Sequence, residues 1–346
     1  MTRRERLEIA ITAVLVAIAG ICHFAGLGDV TTFVVAAVAL AGLARTVGTA
    51  TEQLGARLGS GGASVVQSAL GNLPELFIAL FALHRGLFDV VQAALVGSIL
   101  ANSVLVLGLA FIVGGLKHGV QKFDSDRART VSMLTVLAAA TMAIPSLAHE
   151  FHAPAAAHAH ALSLICAGVL LALFVLTLPS FLRSAAGEEH EPARWSTALT
   201  ATVLAVAGAS AALTSDWFVS ALTPAIHTLH MSEEFAGLVI VAIAGNAVEN
   251  VVGVQLAARN RADFAVSVIV NSSLQIALAL TPVLVFASLL FATHLTLVFP
   301  TLLALVLLIS GILGALIVND GESTWQEGAV LVGFYVVIAA SFWWGT

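Results

Sequence analysis

The sequence predicts an all-α integral membrane protein with eleven transmembrane helices, arranged as one helix plus two inverted five-helix repeats. Three observations carry this. First, 59% of the 346 residues are hydrophobic and only 10% are charged, with a mean hydropathy of +1.01. A soluble domain is roughly a quarter charged, so this chain has too little polar surface to face water. Second, the apolar runs are long rather than alternating, which favours helices over a barrel. Third, the pattern G-N-x-x-E occurs twice, as GNLPE at 71–75 and GNAVE at 245–249, 174 residues apart.

Taken in order, the eleven apolar segments fall at about 8–27, 30–47, 62–83, 90–115, 128–148, 160–182, 197–216, 234–258, 264–291, 295–318 and 327–344. The first follows a basic start, MTRRER, as a signal peptide would. Its apolar run is long, and no small-residue cleavage site precedes a soluble domain, so it reads as a span. The division from the second, at Gly28 and Asp29, is the tightest. Cys22 and Cys166 both lie in apolar runs and imply no disulfide framework.

Lys and Arg favour the cytoplasmic side of a membrane. With the N-terminus inside, 13 of the 14 basic residues fall inside and Arg85 alone falls outside. The C-terminus is then outside. Trp195, Trp217, Trp325, Trp343 and Trp344 are expected at segment ends, where an amphipathic ring prefers the interface.

At the 174-residue offset of the two motifs, Ser98 in VGSIL maps onto Ser272 in VNSSL. Two signals in one register predict a duplicated unit. Residues 1–28 form an extra N-terminal helix, 29–182 the first repeat, 183–196 an acidic cytoplasmic linker and 197–346 the second repeat. Five spans per repeat make the copies antiparallel, a plan common in secondary transporters. In the linker, Glu188, Glu189 and Glu191 read as a solvated charged loop, with cation binding the sharper alternative.

Nearly all acidic residues lie in loops or at segment ends. Glu75 and Glu249 are the exceptions, at equivalent positions of antiparallel spans. A carboxylate deep in a bilayer is costly unless neutralised. Two facing each other should share protons or hold a cation. Gly71 and Pro74 weaken helix around Asn72, and Gly245 does so around Asn246; carbonyls freed there suit a cavity or ligand. Asn72 and Asn246 add amide oxygens. Ser98, Asn102, Asn271, Ser272, Ser273 and Gln275 form polar patches in the following spans, each equally readable as interhelical glue. Every donor is an oxygen, the set that hard divalent cations take. A site that accepts either protons or a divalent ion is the core of an antiporter.

The two motifs, followed by VGSILANSVLVLGLAFIVGG and NSSLQIALALTPVLVF, resemble the calcium/proton exchangers of the calcium:cation antiporter superfamily. The resemblance runs from about residue 33 to the C-terminus and includes TATEQLGARLG, read as a turn at 49–59. It implies ten core helices in two inverted halves and calcium export driven by proton entry. Glu75 and Glu249 would be the shared cation and proton sites, with Asn72 and Asn246 as neighbours and Gly71 and Gly245 lending carbonyls. The sequence departs from the family at Asn250, where histidine is common, at Pro74, and at Asn271, where glycine is usual.

These readings imply alternating access, with calcium and protons as the transported ions and no cofactor. Sodium-coupled exchange, or preference for manganese, is the near alternative. A cation channel or an intramembrane enzyme is the distant one, since no G-x-G-D or H-E-x-x-H motif occurs. Partners are the two ions and the lipid bilayer, not nucleic acid; a homo-oligomer is left open. The expected location is a prokaryotic plasma membrane. His149, His152, His158 and His160 cluster in an outside loop, as incidental solvated residues or as a zinc or pH-sensing group.

Overall fold

The computed structural model describes residues 1–185 and 193–344, with the backbone alone for 58–69 and 180–185. The linker acids Glu188, Glu189 and Glu191 lie outside the described residues. The long helices are α1 (Arg3–Ala25), α2 (Asp29–Leu70), α6 (Ser125–Glu150), α7 (Ala159–Ala185) and α8 (Thr197–Leu229). Between them stand α3 (Leu73–His84), α4 (Phe88–Leu100) and α5 (Leu107–His118). The later chain forms α9 (Glu233–Phe235), α10 (Ala242–Gly245), α11 (Ala247–Ala257), α12 (Ala262–Gln275), α13 (Thr281–Ala287), α14 (Thr301–Ile317) and α15 (Trp325–Ser341).

Among the described residues, seven continuous helical stretches are long and apolar enough to cross a membrane, and a pair bent by 65° at Asn246 makes an eighth. The remaining expected spans correspond to shorter apolar helices, α3, α14 and α15. The protein is therefore an integral membrane protein, with a span count that depends on how broken helices are paired.

Several boundaries differ from those expected. Residues 49–59 continue α2 instead of turning. TATEQLGARLG holds no proline, so nothing in it stops the hydrogen-bond ladder. The tenth segment becomes helical only at Thr301, after Pro300. Before it, Leu295, Leu297 and Phe299 are buried at alternate positions. Their N–H groups donate to the hydroxyls of Ser288, Ser163 and Ser146 at 2.9, 2.9 and 2.8 Å. Serines thus stand in for the strand or helix partner an extended buried segment needs. Three π-helical turns, Ala101–Val106, Ala236–Val241 and Ile276–Leu280, interrupt α-helical stretches and were not expected. Such bulges concentrate at functional sites. Trp195 is not an interface ring: it is 1% exposed and donates from Nε1 to Glu5 Oε2 at 2.9 Å. Trp217 sits within α8, whereas Trp325, Trp343 and Trp344 lie exposed at the ends of α15.

The chain forms two compact units. The first comprises 1–82, 174–230 and 244–248. In it α1, α2 and α8 pack together, around Leu43, Val47, Ala207 and Ala211, with Leu73 and Phe77 against them. The end that holds the N-terminus is polar. Arg45 pairs with Glu8 at 3.0 Å and Arg194 with Glu5 at 3.1 Å. Gln53 accepts from the backbone of Arg194 and Trp195, and Arg57 donates to the Trp195 carbonyl. The opposite end is aromatic: Phe33 stacks on Phe218 at 4.9 Å, and Trp217 meets His23 and Phe24.

The second unit comprises 83–173, 231–243 and 249–346. Its packing is reciprocal: α6 lies against α12 and α14, and α14 also lies against α4. At one end β1 (Gln121–Lys122) pairs antiparallel with β2 (Glu322–Ser323), reinforced by Lys122 and Glu322 at 3.0 Å. Asp124 N donates to Asp263 Oδ1 there at 2.9 Å. At the other end Thr301 donates to Glu150 at 2.7 Å, and His160 stacks on His294 at 5.0 Å.

Candidate functional site

Each G-N-x-x-E motif is a helix break followed by a helix start. Gly71 and Asn72 separate α2 from α3, and the Asn72 carbonyl accepts from Leu76 N at 2.9 Å, the first bond of the new helix. Asn72 therefore occupies the cap position. Pro74 falls in the first turn, where a missing N–H costs nothing, so it begins α3 instead of breaking it. Glu75 falls at the third helical position, where a carboxylate faces the positive end of the helix dipole. The second motif repeats this: Gly245 ends α10, Asn246 stands between, and α11 begins at Ala247 with Glu249 in its first turn. Leu73 and Ala247, which open the two helices, are 174 residues apart, and so are Phe88 and Ala262, which open α4 and α12.

Glu75 of the first motif and Gly245 of the second meet in the first compact unit. A Cβ added to Gly245 would lie 3.2 Å from Glu75 Cβ and 3.3 Å from its Cγ. The glycine of the second motif thus gives room to the carboxylate arm of the first. Glu75 is 3% exposed and Asn246 is fully buried, while Asn72 is half-buried.

In the second unit, Glu249 and Asn250 are half-buried at the start of α11. The Asn250 amide oxygen is buried and accepts no hydrogen bond, the condition of an oxygen available to a cation. Ser98, Asn102, Ser272 and Ser273 are buried, and Gln275 is half-buried at the end of α12. Asn102, in the π turn after α4, donates to Ser272 Oγ at 3.1 Å. Ser273 Oγ reaches the carbonyls of Ile99 and Ile269 at 3.5 and 3.4 Å. Ser272 is thus drawn to Asn102, one turn beyond its repeat counterpart Ser98.

Two residues escaped the sequence reading. A Cβ on Gly97 would collide with the Leu238 backbone, and one on Gly237 with the Val90 carbonyl. These glycines bring α4 and the π turn Ala236–Val241 into backbone contact, the role small residues play in membranes. Glycines inside apolar runs were the available signal.

Among the described residues, no group of three or more His, Cys, Asp or Glu side chains is placed to hold a metal ion. His149, His152, His158 and His160 therefore form no such group there.

The model of the sodium/calcium exchanger protein family matches residues 29–183 and 199–344. The chain is 36% identical to the Ca(2+)/H(+) antiporter ChaA of Bacillus subtilis, over 90% of this chain and 91% of that one. It is 30% identical to the Ca(2+)/H(+) antiporter of a Synechocystis species, over 92% of each. The solved structure of native YfkE superposes with a TM-score of 0.84 at 33% identity, covering 97% of this chain and 99% of that one. An H+/Ca2+ exchanger named CAX shares the fold, with a TM-score of 0.77 at 16% identity over 98% and 92% of the two chains. With its paired G-N-x-x-E breaks and matches across both halves, this chain belongs to the sodium/calcium exchanger protein family.

Proposed function

We propose that the protein exchanges calcium for protons across its membrane, with Glu75 and Glu249 as alternating ligands of the cation and the protons. The observation that carries this is Glu75, a buried carboxylate at the start of a helix, with its arm against the glycine of the second motif. The open amide oxygen of Asn250 beside Glu249 supports a hard-cation ligand set. The antiporter activity of relatives that match along nearly the whole chain supports the same reading.

The cycle runs by alternating access. Calcium binds from the cytosol to the ionised pair, the loaded protein turns outward, protons replace calcium, and the protonated protein returns. An empty, doubly ionised site deep in the membrane is costly, so exchange outruns leak. The eleven-span plan, in repeats at 29–182 and 197–346 beyond an extra helix at 1–28, fits the two stretches of the family match. A cytoplasmic N-terminus and an outside C-terminus fit the loop contacts. Loops around 121–124, 257–263 and 321–323, which the basic-residue count puts inside, bond to one another. The plasma membrane of a prokaryote is the proposed location.

Calcium uptake into proteoliposomes under an imposed pH gradient tests the reading, with a sodium gradient as comparison. Proton-driven uptake, lost in Glu75→Gln and in Glu249→Gln, is expected. Uptake driven only by sodium would replace the coupling ion, and survival in either variant would remove the site. Half-saturating calcium should rise as pH falls, because protons and calcium compete for the same oxygens; a flat profile would sink the shared site.

A further inference from the structure

We propose that Gln121, in the loop between α5 and α6, is a positioning residue for Glu249, acting by clamping the far end of α11. The proposal rests on the reading of Glu249 as a cation ligand. The helix α11 is only 11 residues long, with Glu249 in its first turn. A rod that short transmits a displacement at one end to the other.

Its C-terminus is finished by a Schellman turn. Arg261 N donates to Leu256 O and Asn260 N to Ala257 O, both at 3.0 Å, and Asn260 takes the left-handed conformation with φ +57°. The Gln121 side chain clasps this turn. Nε2 donates to Ala257 O at 3.1 Å and to Asn260 Oδ1 at 2.9 Å. Both hydrogens of the amide are thereby used, one on a carbonyl of the turn and one on the side chain of its left-handed residue. His118 adds a contact from Nε2 to Ala258 O at 3.1 Å.

Gln121 is itself held from three sides. It is 3% exposed. Its backbone is paired with Ser323 in the two-stranded sheet. A Cβ on Gly114 would fall on its Oε1, so glycine at that position leaves the space the amide occupies. The middle of α11 is fixed independently, since a Cβ on Gly253 would meet Ile269 Cγ1 at 2.7 Å. The two donors tie the loop to the end of that helix, so the place of the loop sets the place of the helix end.

The test measures proton-driven calcium uptake and hydrogen exchange in the full-length protein. Gln121→Glu keeps the shape but sets a carboxyl against two acceptors. It should raise half-saturating calcium about tenfold, the effect of losing such buried bonds, with the maximal rate held within about twofold. Backbone amides at the end of α11 should exchange faster. Gly114→Ala, which displaces Oε1, should act in the same direction. Gly114→Ala added to Gln121→Ala should do no further harm, because the space is already vacant. Unchanged calcium dependence in Gln121→Glu, while Glu249→Gln abolishes uptake, would overturn the clamp and leave Glu249 in place. A fall in maximal rate and thermal stability without a change in half-saturation would make Gln121 a structural brace and overturn its positioning role. Full uptake in Glu249→Gln would remove the ligand reading and the clamp with it.

Discussion

Two kinds of helix start in this protein use the same local pattern, a capping residue followed three positions later by glutamate. Thr2 with Glu5 and Thr324 with Glu327 are complete capping boxes at the N-termini of α1 and α15. In each, the carboxylate takes the cap N–H, at 2.7 and 2.9 Å. Asn72 with Glu75 and Asn246 with Glu249 have the same spacing, but they start helices inside apolar segments that have just broken. What differs is what surrounds the carboxylate. Glu5 meets Arg194 and the Trp195 indole, whereas Glu75 lies against a glycine of the other motif. A pattern that normally only starts a helix becomes a candidate ion site where it follows a break inside an apolar segment.

The largest expected effect separates the two classes outright. Glu75→Gln should reduce calcium uptake to background while membrane insertion and thermal unfolding in detergent stay as in the parent; comparable losses of folded protein and of uptake would dissolve the distinction. Gly245→Val comes next. Its added bulk should push the Glu75 arm aside at an overpacking cost of about 1–3 kcal/mol, read as weaker calcium dependence, with Gly245→Ala milder. If Gly245→Val transports normally, the contact between the motifs has no functional weight.

The capping-box glutamates should behave in the opposite way. Glu5→Ala removes the Arg194 pairing, the Trp195 bond and the cap together, and should cost about 2 kcal/mol of stability, with uptake per folded molecule unchanged. A transport defect at full stability would move Glu5 into the functional class. Thr324→Ala, the smallest change, should cost about 1 kcal/mol as a lost cap, seen as a modest drop in unfolding temperature and no change in uptake.

Much of this was legible in the chain. Hydropathy located the apolar segments because a bilayer demands long apolar runs, and the paired motifs stood out because acids are expensive there. The breaks at Asn72 and Asn246 were legible as interruptions, though their capping logic was readable too: Asn-x-x-Glu is a helix start. Pro74 was read as weakening helix around Asn72, where the break falls, and its place in the first turn makes it part of the new start. Helix lengths were less legible. The continuation of α2 through 49–59 and the late start of α14 depend on packing and on distant partners.

The sequence by itself determined the membrane class, the two motifs, their 174-residue register and the all-oxygen chemistry of the candidate ligands. These follow from residue type and spacing, which solvent transfer and local backbone rules act on directly. Only the tertiary structure decided that Gly245 makes room for Glu75, that Asn102 reaches Ser272, that serines from two other helices support the stretch before Pro300, and that Gln121 holds the end of α11. Each of those joins residues more than a hundred positions apart. Nothing in local propensity reports such a pairing; it exists only once the helices have packed and buried polar groups have found the partners left within reach.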